Sequence, residues 1–103
     1  MSDPNLSKLL RALLDRRAEP VSTIAAAQRL AKFDSQDALD ALLHVAQEQD
    51  AAEPLSRAAG ESIAKILIRR GAVDQVPLHD FTEGAYLGYD ETIARYLRSV
   101  PDG

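Results

Sequence analysis

The sequence predicts an all-α fold of about three stacked antiparallel helix pairs, an α-solenoid or compact bundle forming one domain over residues 1–103. Three observations carry that expectation: a composition suited to helices, apolar residues at helical spacing, and a repeat near 30 residues long. The chain has no Trp, only 5% aromatic residues and an abundance of Ala and Leu. Ala and Leu lose little entropy in a helix, whereas strands favour β-branched and aromatic side chains.

Six helical segments can be read in order. Residues 5–17 place Leu6, Leu9, Leu10, Leu13 and Leu14 on one side, with Lys8, Arg11 and Asp15 away from them. Glu19-Pro20 opens a second segment over 20–33, because proline is tolerated in a first helical turn. Asp34 or Ser35 caps a third that reaches about residue 49, with a core stripe of Leu39, Leu42, Leu43 and Ala46. Glu53-Pro54 repeats the earlier opening and starts the longest helix, which ends at Arg69-Arg70 before Gly71. That helix is apolar around most of its circumference. Its polar strip narrows to Arg57, Glu61, Lys65 and Arg69, which predicts a central position with neighbours on both sides. Gly60 lies in its middle, where it costs roughly 1 kcal/mol of propensity relative to Ala, and close approach of a neighbouring helix offsets that cost. Residues 77–86 give a fifth segment weakened by Gly84 and Gly88, Asp90 caps a sixth reaching Leu97, and the tail from Val100 frays.

Leu10-Arg11-Ala12-Leu13-Leu14 recurs as Leu39-Asp40-Ala41-Leu42-Leu43, and Ala25-Ala26-Ala27-Gln28-Arg29-Leu30-Ala31-Lys32 recurs as Ala58-Ala59-Gly60-Glu61-Ser62-Ile63-Ala64-Lys65. The ending at Leu30-Ala31-Lys32 appears again at Ile63-Ala64-Lys65 and at Ile93-Ala94-Arg95. Two helices per period of this length form a unit that buries its apolar face only by stacking. On these motifs the chain resembles the HEAT-like repeat families, especially the short-repeat kind of the bilin lyase group. The resemblance spans nearly the whole chain and implies a right-handed stack of α-hairpins. It departs from the family where Glu-Pro-Val-Ser and Glu-Pro-Leu-Ser replace the usual Asp-Pro-x-Val-Arg link.

Composition also excludes several functions. With no cysteine there is no disulfide framework, thiolate nucleophile or cysteine zinc site. A formal charge of −4 opposes direct nucleic-acid binding, which needs a basic face. No apolar run approaches a signal-peptide core or a membrane span, so a cytoplasmic location is expected, away from membranes. No phosphate loop, nucleophile elbow or His-Glu-x-x-His pattern is present, and neither enzymatic activity nor a cofactor or metal is expected.

Charge is sorted along the chain. Residues 34–53 hold six acids and residues 71–91 five, with no Lys or Arg in either stretch. Two readings are open: a solvated face, or a docking surface for a basic protein partner. Asp37, Asp40 and His44 share one helical stripe, which also suits an ordinary polar face more readily than a metal or acid–base site. Asp80, Glu83, Tyr86 and Tyr89 join acids to aromatics, the residue types of an interface edge or of a terminal cap over the core. The expected partner-binding set is therefore Asp37, Asp40, His44, Asp80, Glu83, Tyr86 and Tyr89. Size and acidity are also those of a dedicated inhibitor, such as an immunity protein against a basic nuclease toxin. The alternatives are an accessory protein of the bilin lyase type, which needs an apolar groove for a chromophore, and a subunit of a larger scaffold.

The stripes predict that Leu42→Ala and Ile63→Ala each lower stability by roughly 2–5 kcal/mol in urea denaturation. A loss under about 1 kcal/mol at both positions would mean that the core faces are misassigned.

Overall fold

The computed structural model describes residues 4–15, 17–73 and 75–99, which form five α-helices and one short 3-10 turn and contain no strand. The helices are α1 (Pro4–Leu14), α2 (Pro20–Leu30), α3 (Gln36–Ala46), α4 (Glu53–Arg70) and α5 (Glu83–Ser99), with the 3-10 turn at Leu78–Asp80. Arg16, Asp74 and the tail from Val100, each of which carried a sequence expectation, lie outside the described residues.

Local chemistry fixes the boundaries. α1 stops three residues short of the expected end because the Asp15 carboxylate accepts the Arg17 N–H (2.9 Å) and its carbonyl accepts the Ala18 N–H. Ser35 is the cap of α3, its Oγ accepting from the Ala38 N–H (3.5 Å). α4 ends on Gly71 in the left-handed region (φ 66°), where the Ala72 N–H reaches back to the Leu67 carbonyl.

The helices make two layers. α1 and α3 are neighbours in one; α2, α4 and α5 lie side by side in the other, with α4 central and in contact with α2, α3 and α5. The thinnest dimension, 21 Å, is that of two helices. Leu13, Leu30, Leu42, Val45, Ile63, Ile66 and Leu67 are all buried between the layers. The repeated apolar positions do the same work in both units: Ala26, Ala27 and Leu30 of α2 and its C-cap Ala31 are buried, as are Ala59, Gly60, Ile63 and Ala64 of α4. The third copy departs. Ile93 is half-buried and Ala94 exposed, because α5 is the last helix of its layer and has a neighbour on one side.

Polar side chains of α4 tie the layer together. Ser62 Oγ donates to the Ala27 carbonyl of α2 (2.7 Å). Arg69 donates to the Ala31 and Phe33 carbonyls, closing the C-terminal end of α2 where helix carbonyls lack partners. Arg57 pairs with Glu91 of α5 (2.6 Å) and Arg70 with Asp34 (2.9 Å). The polar strip on α4 thus makes bonds between helices.

The main departure from the sequence reading concerns residues 77–97. A fifth segment ending near residue 86 and a sixth capped by Asp90 are replaced by the 3-10 turn and the unbroken helix α5, and Asp90 is an exposed mid-helix residue. Thr82 caps α5 instead, its Oγ1 accepting from the Ala85 N–H (3.3 Å). Gly84 and Gly88, taken as weak points, are contact surface. A Cβ on Gly88 would collide with the Arg57 carbonyl, and one on Gly60 with the Ala85 carbonyl. Gly84 lies against Glu53 and Ser56, so α5 starts level with the start of α4 and runs parallel to it. The expectation of a close helix neighbour at Gly60 holds; that neighbour is α5.

Parallel packing explains the missing helix. The chain leaves the far end of α4 at Gly71 and returns to its near end by Thr82, a climb of about 27 Å for an 18-residue helix. Twelve residues in helical form would rise only about 18 Å, so no further α-helix fits in the connection, and its described residues make turns, bends and the 3-10 turn instead. Phe81 anchors this segment edge-on to Tyr89 (centroids 6.1 Å apart), and the Tyr89 hydroxyl donates to the Val73 carbonyl.

Gly60→Ala and Gly88→Ala are expected to destabilise by at least about 1 kcal/mol each despite Ala's better helix propensity, because backbone must move to admit the methyl. Ser56, buried in α4 with no hydrogen-bond partner for its Oγ among the described residues, predicts the reverse. Ser56→Ala is expected to be neutral or to stabilise by up to about 1 kcal/mol. Wild-type stability in both glycine variants, read by urea denaturation, would contradict the α4–α5 contact.

Candidate functional site

The two acid-only stretches meet at one place. The Thr82 N–H donates to the Ala46 carbonyl at the C-terminal end of α3 (2.8 Å), which sets the start of α5 beside the end of α3. The side chain of Glu53, the last acid of the first stretch, lies against Gly84 at the same corner. Asp37, Asp40 and His44 are exposed along α3, and Asp80, Glu83 and Tyr86 are exposed at the 3-10 turn and the beginning of α5.

Two acids at the ends of these stretches are paired, Asp34 with Arg70 and Glu91 with Arg57. Among the described residues Asp37, Asp40, Asp50, Glu53 and Glu83 have no Lys or Arg partner, and Asp40 accepts only from the Gln36 side chain (2.8 Å). Asp80 lies 3.6 Å from the solvent-exposed His79. No group of three or more His, Cys, Asp or Glu among the described residues is placed to hold a metal ion.

Tyr89 is the exception within the expected partner-binding set. It is 4% exposed, packed against Phe81 with its hydroxyl on the Val73 carbonyl, and is unavailable to a partner at the surface of this fold. Reading residues 81–90 as an edge segment hid its role; on the continuous helix α5, Tyr89 falls beside Ala85 and Thr92 on the buried face, while Tyr86 falls outside (45% exposed).

A second feature adjoins the acidic stripe. An open cleft of about 590 Å³ lies where the α1–α2 and α3–α4 turns meet. Leu13, Leu14, Ile24, Val45 and Leu55 give it an apolar floor, and Asp15, Glu48 and Asp50 supply carboxylates. His44 belongs both to this lining and to the exposed stripe of α3. The sequence reading missed the cleft. Leu14 was assigned to the core stripe of the first helix, yet it is 49% exposed, because α1 ends there and the side chain faces the cleft. Its one available signal was the pair of Pro-opened helices, whose preceding turns both carry acids.

In comparison with known proteins, no family model, characterised protein or solved structure matches the chain. Fold and surface alone define what it is: an all-α, two-layer helical stack with an acidic flank and an acid-lined apolar cleft beside it.

The two tyrosines are expected to separate in mutagenesis. Tyr89→Ala should cost roughly 3–5 kcal/mol, as for other large buried aromatics, and Tyr89→Phe about 1 kcal/mol for the lost hydrogen bond. Tyr86→Ala should change stability by less than about 0.5 kcal/mol. Equal effects of the two alanine variants in thermal melts would refute the assignment of one to the core and the other to the surface.

Proposed function

We propose that this chain is a protein-binding helical module that docks a basic protein on the flank formed by α3 and the start of α5. One observation carries the reading: the Thr82–Ala46 hydrogen bond joins two acid-only stretches in which, among the described residues, Asp37, Asp40, Asp50, Glu53 and Glu83 have no Lys or Arg partner. Opposed fields across such a surface raise association rates and reject acidic competitors. The contact residues of this reading are Asp37, Asp40, His44, Asp80, Glu83 and Tyr86, with Tyr86 as the aromatic that a partner covers. An inhibitor or immunity role against a basic nuclease-type toxin is the specific form favoured by the chain's small size and its charge of −4. Ala27 of α2 meets Ser62 and Ala31 meets Arg69 further along α4, so α2, α4 and α5 run parallel, which supports the HEAT-like resemblance within the same proposal.

An accessory role of the bilin lyase type draws on the apolar floor of the cleft. The carboxylates of Asp15, Glu48 and Asp50 oppose it, since a linear tetrapyrrole carries propionates of the same sign.

The test begins with the partner recovered from the native host by pull-down and identified by mass spectrometry. Reversing Asp37, Asp40, Asp80 and Glu83 together to Lys is expected to weaken its binding at least about tenfold and to flatten the salt dependence, while the melting temperature stays near wild type. A partner that binds the reversed variant undiminished, or that instead depends on Arg11 and Arg17 of the first helical region, overturns the proposal.

A further inference from the structure

We infer that the cleft between the α1–α2 and α3–α4 turns is the seat for a short basic amphipathic helix of a partner protein, its apolar face down and its Lys or Arg residues on the carboxylates. This deepens the proposed function and rests on it. The chemistry of the lining selects the occupant. Five large aliphatic side chains offer an apolar floor, the carboxylates of Asp15, Glu48 and Asp50 lie around it, and no Lys or Arg is among the described residues that line it. Pro20 and Pro54 occupy the first turns of α2 and α4 at the cleft, so these helix ends present fewer N–H groups to an anion. A ligand matching both features has an apolar side and a cationic side.

Shape decides between a small organic cation and a peptide. The volume, about 590 Å³, would suit either. A small-molecule site encloses most of its ligand, however, and this one is open along one side. It also continues through His44 onto the exposed stripe of Asp37 and Asp40, so an occupant that extends beyond the cleft gains further carboxylates. A helix laid into a groove makes both sets of contacts, with residues at i, i+3 or i+4, and i+7 as anchors. Leu14, half-exposed at the end of α1, and the half-buried Ile24 and Leu55 are the side chains it would cover.

The experiment uses the full chain, ¹⁵N-labelled, titrated with a synthetic 14-residue helical peptide of Leu and Lys arranged amphipathically. Comparison peptides are a Glu/Leu version and a Lys/Ser version with no apolar face. Amide shifts are expected at Leu14, Thr23, Ile24, His44, Val45 and Leu55 with the Lys/Leu peptide, and binding at least about tenfold weaker with either other peptide. Filling the cleft with Ala52→Trp, or with Ala18→Trp should the first variant fold poorly, is expected to weaken the Lys/Leu peptide about tenfold. The triple neutralisation Asp15→Asn, Glu48→Gln and Asp50→Asn is expected to do the same. Shifts mapping to the outer face of α5 around Tyr86 and Leu97 overturn the assignment, as does equal binding of the Lys/Ser peptide. Cleft shifts produced by tetrabutylammonium but not by the peptide would make it a small-cation site and overturn it too. Failure here is separable from failure of the proposed function. A native partner that ignores Ala52→Trp yet is lost on the four-fold reversal at Asp37, Asp40, Asp80 and Glu83 sinks the cleft and leaves the flank standing.

Discussion

The close approach of α5 to α4 at Gly60 and Gly88 determines much of the rest of the molecule. Each glycine faces a carbonyl of the opposite helix, Ala85 and Arg57 respectively, so the two backbones are separated by less than a side chain. Such contact is specific in direction as well as distance. Gly84 meets the start of α4 and Gly88 its second turn, which commits α5 to run parallel to α4. The connection then has to cover the length of α4 in twelve residues, and a helix is too short for that climb. The course of turns and bends among the described residues between Gly71 and Thr82, the edge-on contact of Phe81 with Tyr89 and the hydrogen bond from Tyr89 to Val73 follow from that one constraint.

The same geometry shapes the charge distribution. Returning the chain to the near end of α4 brings Thr82 to the Ala46 carbonyl and so sets Asp80 and Glu83 beside the end of α3. Meanwhile the three arginines of α4 are drawn into bonds with neighbouring segments: Arg57 to Glu91, Arg69 to the carbonyls at and after the end of α2, Arg70 to Asp34. Exposed ion pairs of this kind add little stability. Their consequence is electrostatic, since they hold cationic groups away from the middle of the acidic stretches and leave those carboxylates facing solvent.

The first four helices were legible because each has its own local signals. Ser35, Pro20, Glu53-Pro54 and Gly71 mark ends, and the apolar spacing marks faces; Leu13, Leu42, Ile63, Ile66 and Leu67 are buried as the stripes require. The last third was misread for a physical reason. Glycine in a helix is costly by local propensity, and its compensation at positions 84 and 88 lies in the Glu53–Arg57 turn of α4, distant in sequence. Local patterns carry no trace of that partner, so a continuous helix looked like two short ones and Tyr89 looked like surface. Gly60 carries the one sequence signal of that contact: a helix in close approach to it needs small residues of its own, and Gly84, Ala85 and Gly88 are the run that supplies them. The acidic residues of the candidate site were visible by type, but their adjacency depends on the direction of α5.

The cleft has a similar origin in what the sequence shows only ambiguously. Ala18, Ala41, Ala51 and Ala52 line it alongside the leucines, and alanine at those places is what keeps the space open. Alanine is also the best helix former, so a composition rich in it reads first as evidence for helices. Larger apolar residues there would fill the space and bury Leu14, and cavity filling is among the commoner routes to added stability. The chain instead leaves Leu14 half-exposed and surrounds the gap with Asp15, Glu48 and Asp50. An apolar depression lined by small residues, in which every charged side chain among the described lining residues is acidic, forgoes the stability that larger side chains would add there.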